Sequence, residues 1–344
     1  RTVNCLVIAD YLIWRNRPGQ YRGEGAKLLG LAGQVEQPTW EALCDNLHPL
    51  TGEKLTPRVK DNRTVGYDFN FHVPKSVSLV YGLTRDERIL DSFRDAVRET
   101  MEDIESEVQT RVRKNGRNED RTTGNLVWGE FVHFTSRPVE GVPDPHLHAH
   151  CFVFNVTHDD KEDRWKAGQF RDLKRDAPYF QAVYHARLSQ KLAENGLSIE
   201  RTAKAWELAG LTKATLNKFS RRTTQIEALA KEKGIVDPEQ KAELGAKTRQ
   251  KKAKQLSAED LRKEWLSRLT AEEGDALAIL YGRLGKERLP VGDIVATKEA
   301  VDYAIEHLFE RKSVVPERTL IAEARKRGVG DVTLDGVRQE IDRQ

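Results

Sequence analysis

The sequence predicts a mixed α/β sheet with helices packed on it, followed by a basic helical region and a helical C-terminal tail. Three observations carry this. Segments 65–73 and 144–154 place residues of like kind at the two-residue period of a β-strand, and 127–134 is rich in aromatic and β-branched strand formers. The stretch between the last two holds Pro138, Gly141, Pro143 and Asp144, turn formers that reverse the chain and allow antiparallel pairing. Long amphipathic segments lie between and after the strands, as they do when helices pack on a sheet.

Taken in order, an apolar segment from Val3 to Trp14 is followed by a turn, Arg15 to Gln20. Gly23-Glu24-Gly25-Ala26 leads into Lys27 to Leu31, and a short helix is expected at Thr39 to Cys44. Along the strand Val65 to Val73, Tyr67, Phe69, Phe71 and Val73 face one way; Asp68, Asn70 and His72 face the other. Pro74 has no amide donor and ends it. Lys75 with Ser76 and Ser78 could hold a phosphate at the start of the apolar stretch that follows. Ile89, Phe93, Val97, Met101, Ile104 and Val108 have helical spacing, so a helix is expected from Asp86 to Arg113. A second amphipathic helix should run from Tyr179 to Asn195, stopped by Gly196. Residues 201–254 carry 14 Lys/Arg against 6 Asp/Glu, a local +8. That excess suits a solvated helical face or a surface that tracks nucleic acid. Helices are expected in the tail at 256–269, 297–311 and 320–327.

The 344 residues are enough for two or three domains, and the net charge of +3 says little about partners. No stretch approaches the length of a transmembrane helix, and no secretory signal is visible. Cys5, Cys44 and Cys151 are odd in number and far apart, which argues against a disulfide framework and for a reducing cytoplasm. Gly285-Lys286 lacks the upstream glycine and following hydroxyl of a nucleotide-binding loop, so nucleotide hydrolysis is not expected.

The chemistry concentrates at Asp144-Pro145-His146-Leu147-His148-Ala149-His150. Alternation puts His146, His148 and His150 on one strand face, beside the apolar face of Leu147, Ala149, Cys151 and Val153. Residues i and i+4 on a strand stand about 13–14 Å apart, whereas metal–nitrogen bonds are about 2.0–2.1 Å. Two neighbouring histidines can share an ion, and a third must come from an adjacent strand. Val127 to Phe134 supplies His133 for that purpose, and His146 is the weakest member. His48, His158, His185 and His307 are read as structural.

Several separated motifs resemble those of MobF-type conjugative relaxases, in the HUH endonuclease superfamily. They are Gly66-Tyr67-Asp68-Phe69-Asn70-Phe71 with Pro74-Lys75-Ser76-Val77-Ser78, and His133-Phe134-Thr135-Ser136-Arg137 with Pro145 to His150. Gly23-Glu24-Gly25-Ala26 and Phe219-Ser220-Arg221-Arg222 add to the likeness. The resemblance implies an α+β fold: a central, five-stranded antiparallel palm packed with helices over residues 1–200, a helical flap over single-stranded DNA at 201–254, and a helical extension at 255–344. It implies nicking at a plasmid transfer origin through a covalent 5′-phosphotyrosine, with a divalent metal (Mg, Mn or Zn) on His133, His148 and His150. Asp68 falls on the acid that orients a histidine or accepts the tyrosine proton. Tyr11 is favoured as nucleophile over Tyr21, and Lys75, Arg137, Arg221 and Arg222 are candidate DNA contacts. The implied partners are transfer-origin DNA, other relaxosome proteins and a helicase region beyond residue 344. A rolling-circle replication initiator shares this chemistry but usually places its tyrosine after the histidines. A small-substrate metallohydrolase needs neither tyrosine nor basic flap, and a silent binding module cuts nothing.

Overall fold

The computed structural model describes residues 18–57, 63–114, 116–202, 205–248, 256–287, 296–310 and 312–344. Its central sheet contains β1 (Gln20–Arg22), β2 (Gly66–His72), β3 (Trp128–Thr135) and β4 (Pro145–Phe154). Their spatial order is β1-β3-β4-β2, and every neighbouring pair is antiparallel. The resemblance implies five strands; four are present among the described residues, and Val3 to Trp14 lies outside them.

Alternation fixes what each face meets. Phe71, Val132, Leu147, Ala149, Cys151 and Val153 point into the main core. There they pack among side chains of three helices: α2 (Lys75–Thr84), α3 (Glu87–Ser106) and α4 (Ala177–Glu194). The opposite face is covered at one end by α1 (Gln37–Cys44). Fully buried Trp40 of α1 meets the rings of Phe131, Phe152 and Phe154 at 5.3, 5.4 and 4.7 Å.

The helix expected from Asp86 to Arg113 stops at Ser106. Beyond it, Gln109–Lys114 is a strand that pairs antiparallel with Arg117–Thr122. Val108 and Val112 continue a helical spacing, but Val108, Thr110 and Val112 also alternate at the strand period, and the hairpin wins. The basic region holds a small sheet of Ile199–Arg201 with Trp206–Leu208, then helices including α5 (Arg221–Glu232). Among the described residues five helices follow, at Ala258–Ser267, Ala271–Arg283, Thr297–Phe309, α6 (Glu317–Arg327) and α7 (Leu334–Arg343). The second and last of these were not expected, although Thr270 and Glu273 form a capping box at the start of one. Leu277, Leu280, Val301 and Ile321 join the same apolar cluster as the palm. Trp265 is fully buried and donates its indole N–H to Pro143 O at 3.0 Å.

Cys151 is a buried free thiol, whereas Cys44 is disulfide-bonded, against the expectation of unpaired cysteines. No described helix is long and apolar enough to cross a membrane.

Candidate metal and DNA-processing site

The sheet register assembles the histidines. His133 on β3 lies opposite His148 on β4, and the shared antiparallel pairing brings His150 alongside. A break in register between His133 and Thr135 ends the regular ladder beside the site. One ring nitrogen from each of His133, His148 and His150 lies within 4.8 Å of the other two. The ring centroids stand 5.2, 5.2 and 5.3 Å apart. Ligands at about 2.0–2.1 Å from one ion are themselves roughly 3–4 Å apart, so small imidazole rotations would close the set.

The remaining ring nitrogens are engaged in ways that select the tautomer. His150 Nδ1 is 2.9 and 3.1 Å from the two Asp68 carboxylate oxygens. A carboxylate only accepts, so Nδ1 donates and Nε2 keeps its lone pair. His148 Nδ1 is 2.9 Å from His146 O, again an acceptor, and its Nε2 is likewise left as a ligand atom. Burial raises the Asp68 pKa, but the His150 hydrogen bond and charge outweigh it, and the carboxyl stays below its ordinary range. Burial pushes the His148 pKa well down, aided by the charges of its histidine neighbours. A His148 held neutral by burial suits a cation ligand. The donor set fits a divalent metal.

A second histidine pair was not anticipated. His72 Nδ1 lies 3.2 Å from His146 Nε2, and the two rings stack with centroids 5.1 Å apart. The signal was present, because His72 occupies the polar face of β2 directly opposite His148. Burial lowers the pKa of His146 to about 3.

Tyr21 sits on β1 opposite Gly129, on the face that carries the triad. Gly129 is four residues before His133, about 13–14 Å along the strand. The phenol is buried in the aromatic cluster around Trp40, and its hydroxyl meets Thr39 Oγ1 at 2.9 Å. Burial pushes its pKa up to about 12. Tyr11 lies outside the described residues.

The expected phosphate grip at the start of α2 is instead occupied by protein. Ser76 gives both its backbone N–H (2.8 Å) and its hydroxyl (2.6 Å) to the Glu207 carboxylate. Ser78 Oγ accepts from Leu147 N at 3.1 Å. Lys75 Nζ reaches Pro145 O at 2.9 Å, and burial lowers its pKa. Arg221 is anchored to Asp144, with Nε 2.9 Å from Oδ1 and its backbone N 3.0 Å from Oδ2. Asp144 is only 2% exposed and also accepts from Arg268 at 2.7 Å. It therefore ties the loop before β4 to α5 and to the helix at Ala258–Ser267, a role its turn-like composition concealed. Arg222 donates to Gln225 Oε1 and Gly245 O at 2.7 and 2.8 Å, within the helical region. Arg137 is half-buried on the loop between the two histidine strands.

Comparison with known proteins converges on one family. A family model described as TrwC relaxase matches residues 6–272. The multifunctional conjugation protein TraI of Escherichia coli is 32% identical over 231 residues, 63% of this chain and 12% of that protein. TraI of Escherichia coli strain K12 is 28% identical over 325 residues, 88% of this chain and 18% of that protein. The chain thus spans less than a fifth of these curated relatives. Among solved structures, a metal-free conjugative relaxase TrwC in complex with OriT DNA matches with a TM-score of 0.70 and 29% identity, covering 77% of this chain and 93% of that one. A copper-bound form of the TrwC complex matches with a TM-score of 0.68 and 29% identity, covering 76% and 88%.

Proposed function

Because the chain belongs to the TrwC relaxase family, we propose that it nicks one strand of plasmid DNA at a transfer origin and transfers that strand through a covalent 5′-phosphotyrosine. The observation that carries this reading is the convergence of three histidine ring nitrogens within 4.8 Å of one another, with Asp68 holding the third ring. The chain would act in the cytoplasm, on single-stranded DNA, beside other proteins assembled at the origin.

His133, His148 and His150 would hold a divalent cation. When bound, that cation would draw on the non-bridging oxygens of the scissile phosphate and stabilise the charge that builds there. Asp68 acts as a positioning residue: it fixes the Nδ1–H tautomer of His150 and keeps Nε2 turned to the site. The nucleophile is the Tyr11 phenol. Its oxygen forms a bond to phosphorus as its proton passes to water, and the P–O3′ bond breaks, the departing 3′-oxygen taking a proton from water to become a 3′-hydroxyl. A phosphotyrosine retains a transferable phosphoryl group, so the strand can be rejoined. The deep burial of Tyr21 and its bond to Thr39 support Tyr11 over Tyr21. Lys75 and Arg137 would contribute positive potential along the strand. Arg221 and Arg222 would act chiefly by holding the basic helices over it.

The test is an SDS gel of the chain with a single-stranded oligonucleotide from the native plasmid origin. A denaturant-resistant adduct is expected with wild type and with Tyr21→Phe, and none with Tyr11→Phe. Cleavage without an adduct would point to hydrolysis instead, and an adduct that survives Tyr11→Phe would remove Tyr11 from the reaction.

A further inference from the structure

Away from the histidine face, α4 and the last two helices enclose a cleft of about 250 Å³. Residues of α3, α4, α6 and α7 line it, among them Glu99, Arg187, Lys191, Glu194 and Arg325. Most of these charges are matched. Arg187 Nη1 binds Asp103 at 2.7 Å, Lys191 Nζ binds Glu99 at 2.7 Å, and Glu194 accepts from Gln190 at 3.1 Å. Arg325 is the exception. It is 3% exposed, and neither its Nε nor its Nη1 has a hydrogen-bond partner among the described residues.

A buried guanidinium without partners is costly, because its lost hydration is not replaced. Arginine cannot shed the charge to relieve this. Burial, with the nearby Arg187, lowers its pKa to about 10, still far above neutrality. With Asp103, the partner of Arg187, three carboxylates stand against three cations, but Glu194 is held only by the Gln190 amide and Arg325 pairs with no carboxylate among the described residues. The Arg325 guanidinium therefore has no counter-ion at hydrogen-bond distance, and it is a planar donor group shaped for a forked oxyanion. At about 30 Å³ per water, the cleft has room for roughly eight waters, enough for a small anion with part of its shell.

We propose that this cleft binds a phosphate-class oxyanion held by Arg325, bridging the palm helix α4 to the C-terminal helices α6 and α7. Arg325 and the α7 residue Leu334 lie beyond the segment matched by the family model, residues 6–272. The anion would fasten that C-terminal region onto the relaxase core. The site is independent of the nicking reaction and stands or falls separately from it.

The test is thermal unfolding of the full chain in inorganic phosphate against chloride at matched ionic strength, beside Arg325→Met and Arg325→Lys. In wild type the Tm should rise with the logarithm of phosphate concentration above Kd, by about 2 °C at ten times Kd. Arg325→Met removes an unpaired buried charge, so it should hold or raise the Tm in chloride and lose the phosphate response. Arg325→Lys keeps the charge without the fork and should need roughly tenfold more phosphate, which reads the site even if the Met variant fails to fold. A 5′-nucleoside monophosphate and a mixed-sequence oligonucleotide, run as parallel probes, distinguish a free anion from a DNA phosphate; a response lost in Arg325→Met supports the site with either source. A wild-type Tm indifferent to all three probes overturns the proposal. So does a response undiminished in Arg325→Met, which would place the anion elsewhere on the protein.

Discussion

One face of one sheet carries two regions of opposite character. At one end His133, His148 and His150 converge with Asp68 at their side. At the other, Phe131, Phe152 and Phe154 pack around Trp40, with Tyr21 buried among them. The change from ligand to core takes a single step along each strand, from His133 to Phe131 and from His150 to Phe152. Strand alternation specifies which face a side chain joins, but not whether that part of the face is covered. What covers it here is α1, and α1 reaches only the aromatic end. Tyr21 shows the consequence: it is on the reactive face and yet serves as core.

Substitutions at the two ends should separate cleanly. The largest effect is expected from His150→Ala, which should abolish the protein–DNA adduct and weaken divalent metal binding by more than about a hundredfold, with unfolding little changed. Isothermal titration with Mn²⁺ beside a gel assay checks it; a variant that binds metal normally would remove His150 from the ligand set. At the aromatic end, Trp40→Ala should destabilise the fold by about 3–5 kcal/mol in urea unfolding while leaving metal affinity intact in whatever remains folded. An equal loss of affinity would mean the two ends are coupled.

Intermediate effects belong to the residue that orients the triad. Asp68→Asn should cost about 10–100-fold in metal affinity and adduct yield, because an amide can bond His150 through either its oxygen or its N–H and no longer selects one tautomer. The smallest effect is expected from Tyr21→Phe, which loses one hydrogen bond to Thr39 and about 1 kcal/mol. Tyr21 also carries a pH signature. Its folded pKa is raised to about 12, so the unfolded chain ionises first, near 10. Its contribution to stability is complete below that range and is lost as pH rises toward 12. Comparing urea midpoints at pH 9 and pH 11 should show that loss in wild type and not in Tyr21→Phe.

Much of the site was legible because its residues lie on strands with a period of two. The polar faces of Val65–Val73 and Pro145–Phe154 could be read directly, and the turn between His133 and His148 implied their pairing. The contacts that could not be read join distant segments. Glu207 caps the start of α2 from 131 residues away, in the place where a phosphate was expected. Asp144 looked like a loop residue and proves to be a buried anchor for Arg221 and Arg268. The end of α3 was missed for a different reason: around Val108 both periods fit, and local pattern cannot choose between them. The helix at Ala271–Arg283 was obscured by Gly274 and Gly282, which lower helix propensity without preventing a packed helix from forming.

The most direct measurement is anomalous diffraction from crystals of the chain grown with Mn²⁺. One peak is expected on this face, at roughly 2.0–2.2 Å from a single ring nitrogen of each of His133, His148 and His150. A peak held by His72 and His146 instead, or none on the face at saturating Mn²⁺, would contradict the assignment of these three imidazoles as the metal site.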